Sequence, residues 1–148
     1  MSLHLALLCS TLGASLIAAA LAQPSKSPKS NIRPCPDRPN CVSSRGPEGP
    51  RKMDPIPYQG SVEDARRRIL QIVSAFPRTT VVENSGNYLK VEVRSAIFSF
   101  VDDVEFEFDD AAKVIHFRSA SRLGYYDFGV NRRRMEAIIR QFSDEGNT

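Results

Sequence analysis

Three acidic residues stand two apart in the stretch Val101-Asp102-Asp103-Val104-Glu105-Phe106-Glu107: Asp103, Glu105 and Glu107. In an extended chain that spacing puts them on one face. Paired carboxylates on one face can exchange protons with a substrate or hold calcium. The next alternating run places His116 and Arg118 on the same face, however, so cross-strand charge pairing accounts for the row without chemistry. Pairs of that kind, open to water, contribute about 0–1 kcal/mol each. His116 would also have to serve as the base of any Ser/His/Asp hydrolase, yet it falls mid-strand and no nucleophile elbow accompanies it.

A second group is marked by polarity in positions where the pattern asks for apolar residues. Continuing the inward phase of each alternating run to a common end of the sheet brings Ser95, Asp102, Ser119 and Ser121 onto the face that elsewhere carries Leu, Val, Ile and Phe. The last helical pattern starts near there, so Asn131 and Arg134 can point at the same spot. A buried carboxylate needs a partner, and Arg134 or a nearby Arg is the expected one for Asp102. With Arg94, Asp103, Arg118 and Arg122 at the same strand ends, this cluster is the candidate site. It serves either as a hydrogen-bonded lock between helix and sheet or as a place for a ligand or reaction.

Other motifs carry less. Asp127-Phe128-Gly129 matches the metal-binding triplet of protein kinases, but no Gly-rich phosphate loop, strand lysine or catalytic Asp motif stands with it. A zinc site needs four ligands, and Cys35, Cys41 and the distant His116 do not supply them. No metal and no cofactor is expected.

The elements that must position these residues are legible as changes of period. Ser61 caps a helix running to about Phe76, with Val62, Ala65, Ile69, Ile72, Val73 and Phe76 at helical spacing and Pro77 ending it. From Thr79 the period becomes two, the mark of strands with one buried face. Thr79–Glu83, Tyr88–Ser95, Val101–Asp109 and Val114–Arg122 follow one another across short turns, which predicts an antiparallel meander. A second helix, capped by Asn131, carries Met135, Ile138, Ile139 and Phe142 as its apolar stripe. Met53–Tyr58 is a possible edge strand. The expectation is an α+β two-layer sandwich, an antiparallel four- to five-stranded meander with two helices on one face, in the order β-α-β-β-β-β-α.

The rest of the chain reads as address and linker. Residues 1–22 contain no Asp, Glu, Lys or Arg, and Ala20-Leu21-Ala22 offers small residues before Gln23, so residues 1–22 are expected to be a cleaved signal peptide. The alternative is an anchor spanning residues 3–22. Residues 23–52, rich in Pro, Ser, Lys and Gly, are expected to be a linker, and residues 53–148 the α+β domain. Cys35 and Cys41 flank a turn with two prolines, and in an exported chain they are expected to form a disulfide worth about 2 kcal/mol. Twenty basic residues are interspersed with 17 acidic ones for a formal charge of +3, which argues against a nucleic-acid partner.

Two stretches carry a resemblance. Pro34-Cys35-Pro36 with Pro39-Asn40-Cys41-Val42-Ser43-Ser44 is one. The other runs from Arg94 to Arg140 through Phe100-Val101-Asp102-Asp103-Val104-Glu105-Phe106, Arg118-Ser119-Ala120-Ser121-Arg122-Leu123-Gly124 and Asp127-Phe128-Gly129-Val130-Asn131-Arg132. Together they resemble the domain of unknown function 1499 family over nearly all of the mature chain. The resemblance implies an exported or membrane-associated protein of bacterial or plastid type, in the periplasm, outside the cell or in a plastid lumen, and it supplies no catalytic residues. Two function classes remain. One is a non-catalytic module binding a small molecule, lipid or envelope protein, membrane contact being expected only through an uncleaved anchor. The other is an enzyme using Arg and Asp residues near Arg94, Asp102, Arg118 and Arg122. The binding module leads, because no nucleophile, metal cluster or cofactor loop is recognisable.

Overall fold

A computed structural model describes residues 30–144; the expected signal peptide, the first part of the expected linker (residues 23–29) and residues 145–148 lie outside the described residues. Eight elements follow in the order β1 (Cys41–Ser43), β2 (Ile56–Pro57), α1 (Val62–Ala75), β3 (Thr79–Ser85), β4 (Tyr88–Arg94), β5 (Val101–Asp109), β6 (Val114–Ser121) and α2 (Val130–Asp144). The fold is α+β, and the four-strand meander β3-β4-β5-β6 is antiparallel throughout.

The sheet has six strands rather than four or five. Its order is β1-β6-β5-β4-β3, and β2 also pairs with β6. Both short N-terminal strands therefore lie along the edge of β6, with Val42 opposite Ser119 and Ile56 opposite Ile115. Of these two strands, β1 falls within the expected linker, residues 23–52. The linker's apolar content is small, but Val42 and Ile32 are both buried, and β1 needs only three residues because β6 supplies the ladder.

Leu89, Val91, Val104, Phe106, Phe108, Ile115 and Phe117 project from one face of the sheet and meet Ala65, Ile69, Ile72 and Val73 of α1 and Met135, Ile138 and Phe142 of α2. Phe106, Phe108 and Phe117 are almost wholly buried, each contributing about 1.5–3 kcal/mol relative to exposure. The two helix stripes have the spacing that fits this face, which is why both helices share it.

Helix α1 begins as its sequence dictates. The Ser61 hydroxyl accepts from the Asp64 N–H at 3.1 Å, and Glu63 and Asp64 sit in the first turn. Phe76 is already extended at φ −74° and ψ 134° because Pro77 disfavours the helical conformation in the residue before it. Helix α2 departs from expectation at its start. Asn131 lies inside the helix with its side chain fully buried, and it is the Asp127 carboxylate that accepts from the N–H groups of Gly129 (3.0 Å) and Asn131 (2.9 Å). A buried amide with partners in the sheet is not free to cap.

Candidate functional site

The expected polar cluster divides between the two faces of the sheet. On the helix side, Asp102, Ser119, Ser121, Asn131 and Arg134 come together. Arg134 donates to Asp102 at 2.6 Å, to Ser119 at 3.0 Å and to the Asn131 side-chain oxygen Oδ1 at 2.7 Å. Ser119 also donates to that oxygen at 2.6 Å. The Asn131 amide nitrogen donates to Ser121 Oγ, to the Asn40 carbonyl and to Asp127, all within 3.1 Å. Asn40, outside the candidate cluster expected from the sequence, completes the set by donating to the Gly124 carbonyl at 2.7 Å. One buried amide thus ties β1, β6 and the first turn of α2.

Asp103, Arg118 and Arg122 lie on the opposite face, and there the exposed-row expectation is overturned. Asp103, Glu105 and Glu107 are only 5%, 1% and 4% exposed. Residues 30–33 lie across them, and cations from four directions reach in. Glu105 accepts from Arg118 (2.8 Å), Arg33 (3.1 Å) and the Tyr88 hydroxyl (2.8 Å). Glu107 accepts from Ser30 and the Asn31 N–H and pairs with Arg45. Asp103 is held by Arg122, Lys90 and Arg33. Burial alone would raise the Asp103 pKa; hydrogen bonds and charge from Arg122 and Lys90 outweigh it and hold the group at about 2. The same bonds push the Arg122 guanidinium up, and Tyr88 is pushed up by burial and its bond to Glu105. Strand alternation correctly assigns these residues to one face; the layer that covers the face comes from a segment with no secondary-structure signal.

His116 shares this face, its Nδ1 3.3 Å from Ser44 Oγ. Burial, then the Arg45 charge, lowers its pKa from 6.5. The Ser44 hydroxyl already accepts from the Phe117 N–H at 2.8 Å and donates to the Phe117 carbonyl, so its role is to join the 43–52 loop to β6. Cys35 and Cys41 are disulfide-bonded, with Cα atoms 5.8 Å apart.

Arg94 and Ser95 stand at the rim where three connections meet. These are the α1–β3 turn at 76–78, the β4–β5 loop at 95–100 and the β6–α2 loop at 122–129. The Arg94 N–H donates to the Arg78 carbonyl, and the Arg122 N–H donates to the Val101 carbonyl. Ser95 Oγ accepts from the Phe100 N–H and closes its loop. A recess of about 420 Å³ opens between them, lined by Phe76, Arg78, Ser95, Asp102, Arg133 and Arg134 among others. Asp102 is the one carboxylate among its described lining residues, and Arg134 neutralises it. Arg78 and Arg133 donate instead to the backbone carbonyls of Arg94 and Phe128.

The sequence reading missed the apolar character of the two loops at this end of the sheet. Of ten exposed large apolar residues among the described ones, eight are in or beside these loops: Ile97, Phe98, Phe100, Leu123, Tyr125, Tyr126, Phe128 and Val130. Phe98 stacks on Phe100 with centroids 5.5 Å apart, and Tyr126 meets Phe128 edge-on at 5.2 Å. A signal existed: Ser95-Ala96-Ile97-Phe98-Ser99-Phe100 is apolar yet continues neither flanking alternation. Backbone strain gathers here as well, with Arg78, Ser99 and Phe128 at φ 57°, 52° and 54°. Left-handed residues with a Cβ cost about 1–2 kcal/mol each.

The model of a family described as protein of unknown function (DUF1499) matches residues 31–142. No curated protein matches the chain.

Proposed function

The chain belongs to the DUF1499 family of proteins of unknown function, and from the loop end of its sheet we propose that it is a non-catalytic, exported module that binds an anionic partner in the cell envelope. The observation that carries this reading is the recess beside α2, where Arg78 and Arg133 face a space of about 420 Å³ while engaged only with carbonyl groups among the described residues. A guanidinium in that state retains its charge and most of its donors for a phosphate or carboxylate. Asp102 does not compete, because Arg134 occupies it.

The enzyme alternative rests on the same Asp and Arg residues and has weaker support. Its candidate base, Asp102, is consumed by an ion pair with Arg134. Export is supported by the apolar leader and by the Cys35–Cys41 disulfide, a bond that persists in oxidising compartments. Among the described residues no helix is long and apolar enough to cross a membrane.

Titration of the isotopically labelled protein with inorganic phosphate and with monomeric dihexanoyl phosphatidic acid tests the reading by NMR. Amide shifts should concentrate at Arg78, Ser95 and Arg133, and Arg78→Gln with Arg133→Gln should abolish them. Shifts spread over the whole basic surface, or none at millimolar anion, would count against it.

A further inference from the structure

We propose that the β4–β5 and β6–α2 loops form a crown that seats the domain on an anionic lipid bilayer, with Phe98 and Phe128 entering the interface and Arg78 and Arg133 meeting headgroup phosphates. The inference deepens the anion-binding reading and rests on it, naming the bilayer as the carrier of the anion.

Three observations point the same way. First, the exposed apolar surface is large and localised. Eight large apolar side chains, 41–83% exposed, stand on two loops at one end of the sheet, and exposed apolar residues gathered in this way mark interaction sites. Water is a poor neighbour for that much aromatic and aliphatic surface. Second, its composition is that of an interfacial belt. Tyr125 and Tyr126 join Phe98, Phe100, Phe128, Ile97 and Leu123, and amphipathic aromatic rings favour the headgroup level.

Third, the charge is one-sided. The 95–100 loop holds no acidic residue, and the single acid of the 122–129 loop, Asp127, is spent on the N–H groups of Gly129 and Asn131 and on the Asn131 side chain. Arg133, donating to the Phe128 carbonyl, stands directly behind the crown, and Arg78 stands across the recess. An approaching anionic surface therefore meets cations behind an apolar tip. The crown does not depend on residues 3–22, so this contact is separate from any anchoring by the leader.

The sequence contains no tryptophan, which makes single-Trp reporters possible in the full chain. Phe98→Trp and Phe128→Trp report on the crown, and Val82→Trp, on the exposed face of β3, is the control. With vesicles of phosphatidylcholine containing phosphatidylglycerol, both crown reporters should shift to the blue and be quenched by brominated lipid tails, while the control does neither. Because each reporter senses its own position, binding through the leader alone leaves the crown reporters unshifted and overturns the proposal. Arg78→Gln and Arg133→Gln should each weaken binding about five-fold, and Phe98→Ser roughly ten-fold or more.

Phe128→Gly provides a variant that should remain folded, because glycine adopts φ 54° without strain; it too should lose binding. Equal insertion into neutral phosphatidylcholine would overturn the proposal together with the anion reading. Phosphate shifts at Arg78 and Arg133 without any reporter response would overturn the crown alone. A concentration-dependent blue shift without lipid, with dimers in sedimentation, would assign the surface to a second copy and likewise overturn it.

Discussion

Replacing Asp102 by Asn separates a structural lock from a ligand-holding group. Asp102 and Arg134 are 13% and 10% exposed in their side chains and 2.6 Å apart. Removing one partner from a fully buried pair costs about 3–5 kcal/mol, whereas exposed pairs contribute about 0–1 kcal/mol. With a tenth of each group in water the cost lies toward the buried limit, and the asparagine oxygen still accepts a neutral hydrogen bond worth about 1 kcal/mol. A loss of about 2–3 kcal/mol is expected. Urea unfolding followed by circular dichroism should show the midpoint falling by roughly 1–2 M at an unchanged slope, taking the slope as about 1.5 kcal/mol per molar. Arg134→Met should cost a similar amount. The double variant should be less destabilised than the two losses added, because the pair shares one interaction. Loss of a negative charge from the recess should at the same time tighten phosphate binding. A midpoint that moves by less than about 0.3 M in Asp102→Asn would refute the lock, and if phosphate binding also disappeared, Asp102 would be a site residue.

Two further expectations follow from the covered face and the leader. Asp103 titrates at about 2 in the fold against 3.8 as its ordinary value, so it contributes stability that is fully present above about pH 4 and is lost as the pH falls through 2. The difference of just under two units corresponds to about 2 kcal/mol; acid unfolding of Asp103→Asn should lack this component, and an unchanged acid limb would count against it. N-terminal sequencing of the mature protein from fractionated cells should begin near Gln23, and an intact N-terminus in a soluble cytoplasmic pool would contradict export.

How far the sequence could be read depended on which physical rule each residue obeys. Period-two alternation placed β4, β5 and β6 almost to the residue, because each has one face against a helix layer and a slip of one residue would turn Leu89, Phe106 and Phe117 into water. Asp102, Ser119, Ser121, Asn131 and Arg134 could be assembled in advance for the same reason: polar side chains in an apolar phase must find one another. Alternation states the face a side chain occupies and nothing about what lies over that face. Glu105 was therefore assigned to water although Arg33, 72 positions earlier, covers it. The three residues of β1 are too few to show a period, and Asn131 looked like a cap because its amide was weighed against its own helix instead of against Asn40 and Ser121. The crown escaped because loop residues follow no period at all.

The position of β1 and of the segment before it sets an order of events. Cys41, Val42 and Ser43 have as their ladder partners Ala120, Ser119 and Arg118, and Ser30 and Asn31 bond to Glu107. The chain is made from its N-terminus, so the first described segment waits until nearly eighty later residues exist before any of those partners does. The Cys35–Cys41 bond has no such wait, since it spans six positions and requires no sheet. Covalent closure of this turn can therefore precede the pairing of β1 with β6.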